Sequence, residues 1–234
     1  MSKWLSPLLL TLMAPAGAAA QVGHDPASSP FQDIRTRTNF VATAWRVTGG
    51  GGSLDIGPRT GEGLGLRYEM RMSGPTDAFF EVAWTRLERL VIDPDGAEAD
   101  RVSGPVDQSV VFISGGLSVL LGGDKTWHGL APYVGASVGL GFGSNVASDS
   151  SGFTFRAKLV SGPHLGLRWY ATRALSLRLE GRLLFWQLKY PDRFFRDPER
   201  APTDRPVLDL AGDPNSEWTS HPALTIAVGY AVRL

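Results

Sequence analysis

Apolar and polar residues alternate along most of this chain. They do so most cleanly at its end, where Leu224, Ile226, Val228, Tyr230, Val232 and Leu234 interleave with Thr225, Ala227, Gly229, Ala231 and Arg233. A period of two marks a β-strand with two unlike faces. Seven more segments of this kind precede it, near 39–47, 63–72, 78–90, 109–121, 130–142, 153–170 and 175–189. Ser73–Asp77, Gly122–Lys125 and Ala171–Arg173 are tight turns, whereas the connections beginning near Gly49, Asp93, Ser144 and Pro191 are long and polar, the longest being 191–218. Short turns on one rim and long loops on the other predict an all-β fold, an eight-stranded antiparallel up-and-down transmembrane β-barrel.

The two faces of each strand indicate which side meets lipid. In 130–142, Val134, Ala136, Val138, Leu140 and Phe142 oppose Tyr133, Gly135, Ser137, Gly139 and Gly141. Glycine weakens a strand and offers water nothing that threonine or lysine would not, so a glycine-rich face suits a crowded interior. Elsewhere that face carries Arg67, Glu69 and Arg71 opposite Leu64, Leu66, Tyr68 and Met70, or Arg178, Glu180 and Arg182 opposite Leu175, Leu177, Leu179 and Leu183. A charge on a lipid face costs roughly 2–4 kcal/mol at the bilayer midplane, which favours polar-in, apolar-out over a soluble barrel with an apolar interior. The luminal charge network predicted in this way is Arg67, Glu69, Arg71, Glu81, Arg168, Arg178, Glu180, Arg182 and Arg233, with Arg46, Arg156 and Lys158 on the same face. Phe112, Leu120, Leu184 and Trp186 are candidates for a small apolar pocket beside it. Trp45, Trp84, Phe142, Phe153, Phe155, Trp169, Phe185 and Tyr230 fall near strand ends, where interfacial aromatic girdles sit. Pro163 removes a ladder donor and predicts a bulge or break around Ser161–Pro163.

Composition narrows the setting. The 23 basic and 23 acidic residues give a formal net charge of +0, so no electrostatic bias points to nucleic acid. There is no cysteine, which excludes disulfides and thiolate metal sites. A mean hydropathy of −0.06 and the lack of a long apolar run exclude a helical membrane bundle. Residues 1–20 read as a signal peptide, with Lys3, an apolar Leu8–Met13 stretch and Ala18–Ala20 before the cleavage point. Residues 21–37 are polar, proline-containing and aperiodic, a periplasmic lead-in of little structure, and the barrel domain takes 38–234. Export and a barrel pattern together make the cell outer membrane the expected location.

The mature chain resembles the small outer-membrane β-barrel domain family of OmpA-, OmpX- and OmpW-like proteins. The resemblance is carried by the glycine-rich Pro132–Gly141, by Leu175–Glu180 after a minimal turn, and by Val228–Leu234. It implies that Gly229, Tyr230, Val232 and Leu234 form the signal read by barrel-assembly machinery, with Leu234 where phenylalanine is usual and Ala227 where a polar residue is usual. It also implies a structural, adhesive or small-solute-transport role.

Eight strands enclose an interior that side chains can fill, so the luminal charges read as a plug of ion pairs rather than an anion path. Catalysis needs a nucleophile and a base in hydrogen-bond reach. His24 lies in the lead-in, His128 beside a turn and His164 on an inward face; His221 follows Ser220, but strand neighbours point to opposite faces. The expectation is therefore no enzyme, no cofactor and no metal. The expected role is structural or surface-interacting, with 191–218 as the binding loop; the alternatives are a passive channel or uptake protein for a small solute, then a lipid A-modifying barrel enzyme. Expected partners are outer-membrane lipid and lipopolysaccharide, the barrel-assembly machinery and a surface ligand or protein, without nucleic acid.

Overall fold

The computed structural model describes residues 29–34, 37–149, 151–195, 206–208 and 214–232. The strands are β1 (Phe31–Asp33), β2 (Thr38–Val47), β3 (Gly61–Ser73), β4 (Thr76–Ile92), β5 (Val102–Leu120), β6 (Lys125–Trp127), β7 (Leu130–Gly143), β8 (Ala157–Tyr170), β9 (Leu175–Lys189) and β10 (Ser216–Val232). Apart from the three-residue β1 and β6, each pairs antiparallel with the next, and β10 returns to β2 from Ala223↔Val47 to Val232↔Thr38. The eight long strands thus form a closed ring, in which the β8–β9 ladder is the shortest, ending at Ser161↔Phe185.

Register follows from the alternation. Pairing Arg67 with Glu81 inside places Tyr68 opposite Phe80 outside, since successive side chains point to opposite faces. The outer surface is a broad apolar band: Leu66 is 71% exposed, Leu165 66% and Ile226 61%, with Leu64, Phe80, Val138, Leu159 and Leu179 also exposed. A patch of that extent suits hydrocarbon.

Three local expectations change and a fourth holds in one of its two forms. β5 begins at Val102 rather than near 109. β8 begins at Ala157 rather than 153, because Arg156 has φ +50 and breaks the extended run, leaving Phe153 and Phe155 to turn inward from a loop. The lead-in is partly structured: β1 pairs with β6 in the connection between β5 and β7, Phe31 opposite Trp127. Pro163 makes the expected local break, on the β9 side, and not a bulge. The β7–β8 register runs unbroken through Ala136↔Pro163, and the β8–β9 register is unchanged across it, losing only the pairs at Gly162 and Pro163. The predicted signal peptide, most of the lead-in, Arg233, Leu234 and the larger part of the 191–218 loop lie outside the described residues.

Candidate functional site

The lumen is filled in two layers of different chemistry. Toward the short-turn rim, in-phase positions of β3, β4, β8 and β9 bring four arginines against four carboxylates. Arg67 grips Glu180 with both guanidinium ends, at 3.1 and 2.9 Å, and reaches Glu81 at 3.1 Å. Arg168 donates to Asp77 at 3.0 Å and Glu69 at 3.2 Å, and Arg178 also donates to Glu69. Arg182 bridges Glu81, at 2.7 Å, and Glu180. Their side chains are all buried. Buried ions survive only when paired and hydrogen-bonded, and these pairs share one network. The Tyr133 hydroxyl donates to Glu180 at 2.7 Å, and Arg67 and Arg182 lie over the rings of Phe79 and Trp45 at 4.5 and 4.4 Å. Arg71, nearer the rim, pairs with Asp77 and Asp124.

Toward the long-loop rim the inward face turns apolar. Trp45, Val47, Leu87, Val110, Phe112, Val160, Leu184, Trp186 and Leu188 are buried in one cluster. Phe112 and Trp45 stack at 6.1 Å, and Trp186 lies flat on His221 at 3.6 Å. Where the layers meet, a void of about 10 Å³ beside Arg182, Ser114, Ser137 and Phe112 has room for one water. The loops continue the plug upward. Ile56, Phe153, Phe155, Phe194 and Leu208 are buried against it. Cross-loop bonds fasten this cap: Glu217 accepts from Tyr190 and the Ser53 amide, Arg193 pairs with Asp95, and Arg89 pairs with Asp149. Burial opposes the Asp149 carboxylate, but hydrogen bonds from Ser151 and Arg89 outweigh it and hold the group below the usual range. Burial and the bond to Glu217 push the Tyr190 hydroxyl up to about 12.

Of the predicted luminal charges, Arg67, Glu69, Glu81, Arg168, Arg178, Glu180 and Arg182 meet in the network, with Arg71 at its margin. Lys158 is half-buried at the loop end of β8. Arg46 and Arg156 are corrections: both are exposed, because Arg46 falls out of phase and pairs with Glu62 on the outer wall, while Arg156 precedes the strand. Three girdle aromatics are also corrected, since Trp45, Phe153 and Phe155 are buried inside; Trp84, Phe142, Trp169 and Tyr230 do face outward. Phe112, Leu184 and Trp186 share the upper cluster, whereas Leu120 packs apart from them with Ala131 and Tyr133. Tyr133, Asp77 and Thr43 join the network unpredicted, although extending the alternation of β4 two residues back from Phe79 reaches Asp77. His164 is bonded to the Ser118 hydroxyl at 2.9 Å. His221 bonds Thr219 at 2.9 Å, and its neighbour Ser220 faces out. In the last strand Gly229 faces in, where a Cβ would meet the Ser176 hydroxyl at 2.6 Å, and Tyr230 faces out.

A closed eight-strand antiparallel ring with an ion-paired interior and an apolar exterior is the fold of the small outer-membrane barrels. Solved structures of that class match it. The crystal structure of Neisserial surface protein A (NspA) aligns at a TM-score of 0.52 with 15% identity, over 83% of this chain and 97% of that one. The outer membrane protein OprG from Pseudomonas aeruginosa aligns at 0.50 with 12% identity, over 85% and 98%. The outer membrane enzyme PagL is also among the matches, at 0.41 and 8% over 82% and 99%. No family model matches the chain. No curated protein matches it in sequence.

Proposed function

We propose that this chain is an exported outer-membrane barrel with a structural or surface-interaction role, closed to solutes, whose long-loop rim faces the cell exterior. On this reading a leader of 20 residues precedes the lead-in, and the last strand through Leu234 serves the assembly machinery. The observation that carries it is the filled lumen: paired charges occupy one half, aromatic and aliphatic side chains the other, and loop residues cover the top. A void of about 10 Å³ has room for a water and not for a solute. Function then falls to the loops, which a rigid scaffold presents.

The absence of native cysteine makes the placement directly measurable. Single-cysteine variants Asp95→Cys and Arg193→Cys at the loop rim, and Gly74→Cys and Arg173→Cys at the turn rim, are treated on intact cells with a membrane-impermeant maleimide. The loop-rim variants label and the turn-rim variants label only after lysis. The reverse pattern, or equal labelling of both, contradicts the reading.

A further inference from the structure

The turn rim is closed differently from the loop rim. Residues 74–75 and 171–174 make turns too short to fold over the mouth. The lumen there ends in Leu120, Ala131 and Tyr133, which are only 2%, 1% and 1% exposed and form one cluster. Ile34 of the lead-in packs against that cluster beside Tyr170. Since Tyr133 points inward to Glu180, this contact puts Ile34 inside the mouth rather than on the outer wall. Backbone bonds hold the lead-in there. β1 pairs with β6 from Phe31↔Trp127 to Asp33↔Lys125, and the Thr126 hydroxyl donates to the Gln32 carbonyl at 3.3 Å. The Ile34 amide donates to the Asp124 carbonyl at 2.8 Å, and the Arg37 carbonyl accepts from the Arg71 amide at 2.7 Å. The lead-in is thus attached to the β5–β7 connection and to β3, on either side of β4, and Arg71 joins the two attachments by pairing with Asp124 at 3.6 Å.

The segment that makes this seal is itself mostly solvent-exposed. Phe31, Gln32 and Asp33 are all exposed, and Ile34, half-buried, supplies the apolar contact. A short strand with exposed backbone bonds and little buried apolar surface opens before the body of a protein does. It covers one end of the ion-pair network: Tyr133 donates to Glu180, and Arg168 donates to Asp77 at 3.0 Å and to the Tyr170 hydroxyl at 2.9 Å. Water reaching these groups weakens their attraction, because a buried pair owes its strength to the low dielectric around it. We propose that residues 31–34 are a releasable strap that seals the turn-side mouth of the lumen. Ile34 is the stopper and the β1–β6 ladder the latch, so that displacing the lead-in wets the network from this end while the loop-side cap stays shut. This rests on the reading of a closed lumen and names what closes one end of it.

The test places a single thiol under the strap in the otherwise cysteine-free full chain, folded in neutral detergent and checked by heat-modifiable electrophoretic migration. Ala131→Cys reports on the turn-side mouth, and Ala223→Cys, buried in the loop-side cluster, reports on the rest of the lumen. Each is reacted with a charged methanethiosulfonate reagent. Adding Ile34→Asp, which sets a charge against the apolar cluster, is expected to speed modification at position 131 about tenfold or more and to leave position 223 unchanged. Should that variant misfold, Ile34→Ala still speeds modification at 131 several-fold. A thiol at 131 that reacts as fast with Ile34 intact as with either substitution overturns the strap. A rise of equal size at 131 and 223 overturns it as well, since the whole barrel then loosens. Single-channel recording separates this inference from the reading it rests on: openings from the parent chain sink the closed lumen and the strap with it, whereas a silent barrel whose thiol at 131 is insensitive to residue 34 sinks only the strap.

Discussion

Glu69 accepts from Arg67, Arg168 and Arg178, so removing its carboxylate strips a partner from three buried guanidinium groups at once. Breaking a buried pair costs about 3–5 kcal/mol because the remaining charge stays out of water. Glu69→Ala is expected to lower the unfolding free energy in urea by that order; a change under about 0.5 kcal/mol, typical of surface sites, contradicts the network. Asp149 acts on the cap instead. Its carboxyl is held below the usual range, so the stability it contributes is present above the ordinary carboxylate value and is lost only as pH falls through the lower folded value. Between pH 5 and 8 the Arg89 clamp is therefore insensitive to acid, while Asp149→Asn is expected to speed tryptic cleavage after Arg156 several-fold; equal cleavage rates would show that the clamp does not hold the loop. The alternation made most of the luminal charges legible in the sequence, because facing is a local property. Their partners were not legible: Arg67 and Glu180 are 113 positions apart, and only the closed ring brings them together.

Pro163 shows what an element tolerates. Its missing donor was readable, but the cost was not, since β7 holds β8 in register and the interruption falls on the β9 side alone. Beside it Gly162 has no room: a Cβ there would lie 1.8 Å from the Leu183 carbonyl, while one on Gly181 of β9 would meet nothing within 4 Å. Gly162→Ala is expected to destabilise the barrel by about 1–3 kcal/mol, with Gly181→Ala unchanged in the same urea titration. Equal effects would mean that the strands separate freely there. Strand ends were the least legible part. β8 stops at Arg156 because the backbone there turns to positive φ, and Phe153 and Phe155 then fill the plug instead of a girdle. Trp45 followed the same route inward, since its position in β2 is in phase with Thr43 and Val47. A periodic pattern specifies which residues share a face; whether that face is ionic or aromatic at a given height depends on the opposite wall.

At the scale of the whole molecule, one set of strands separates two media. Exposed leucines outside and paired charges inside are the same alternation seen from its two sides, and pairing β10 with β2 closes the ring. The loop rim adds an aromatic stopper and cross-loop bonds, so both halves of the interior are occupied. A lumen occupied in this way is expected not to conduct, and single-channel recording of the refolded chain in planar bilayers tests this directly, with Arg178→Ala and Arg182→Ala alongside. No openings are expected from the parent chain under conditions where electrophoretic migration shows a folded barrel. Reproducible openings that change with either arginine would contradict the plug and establish a path through the network.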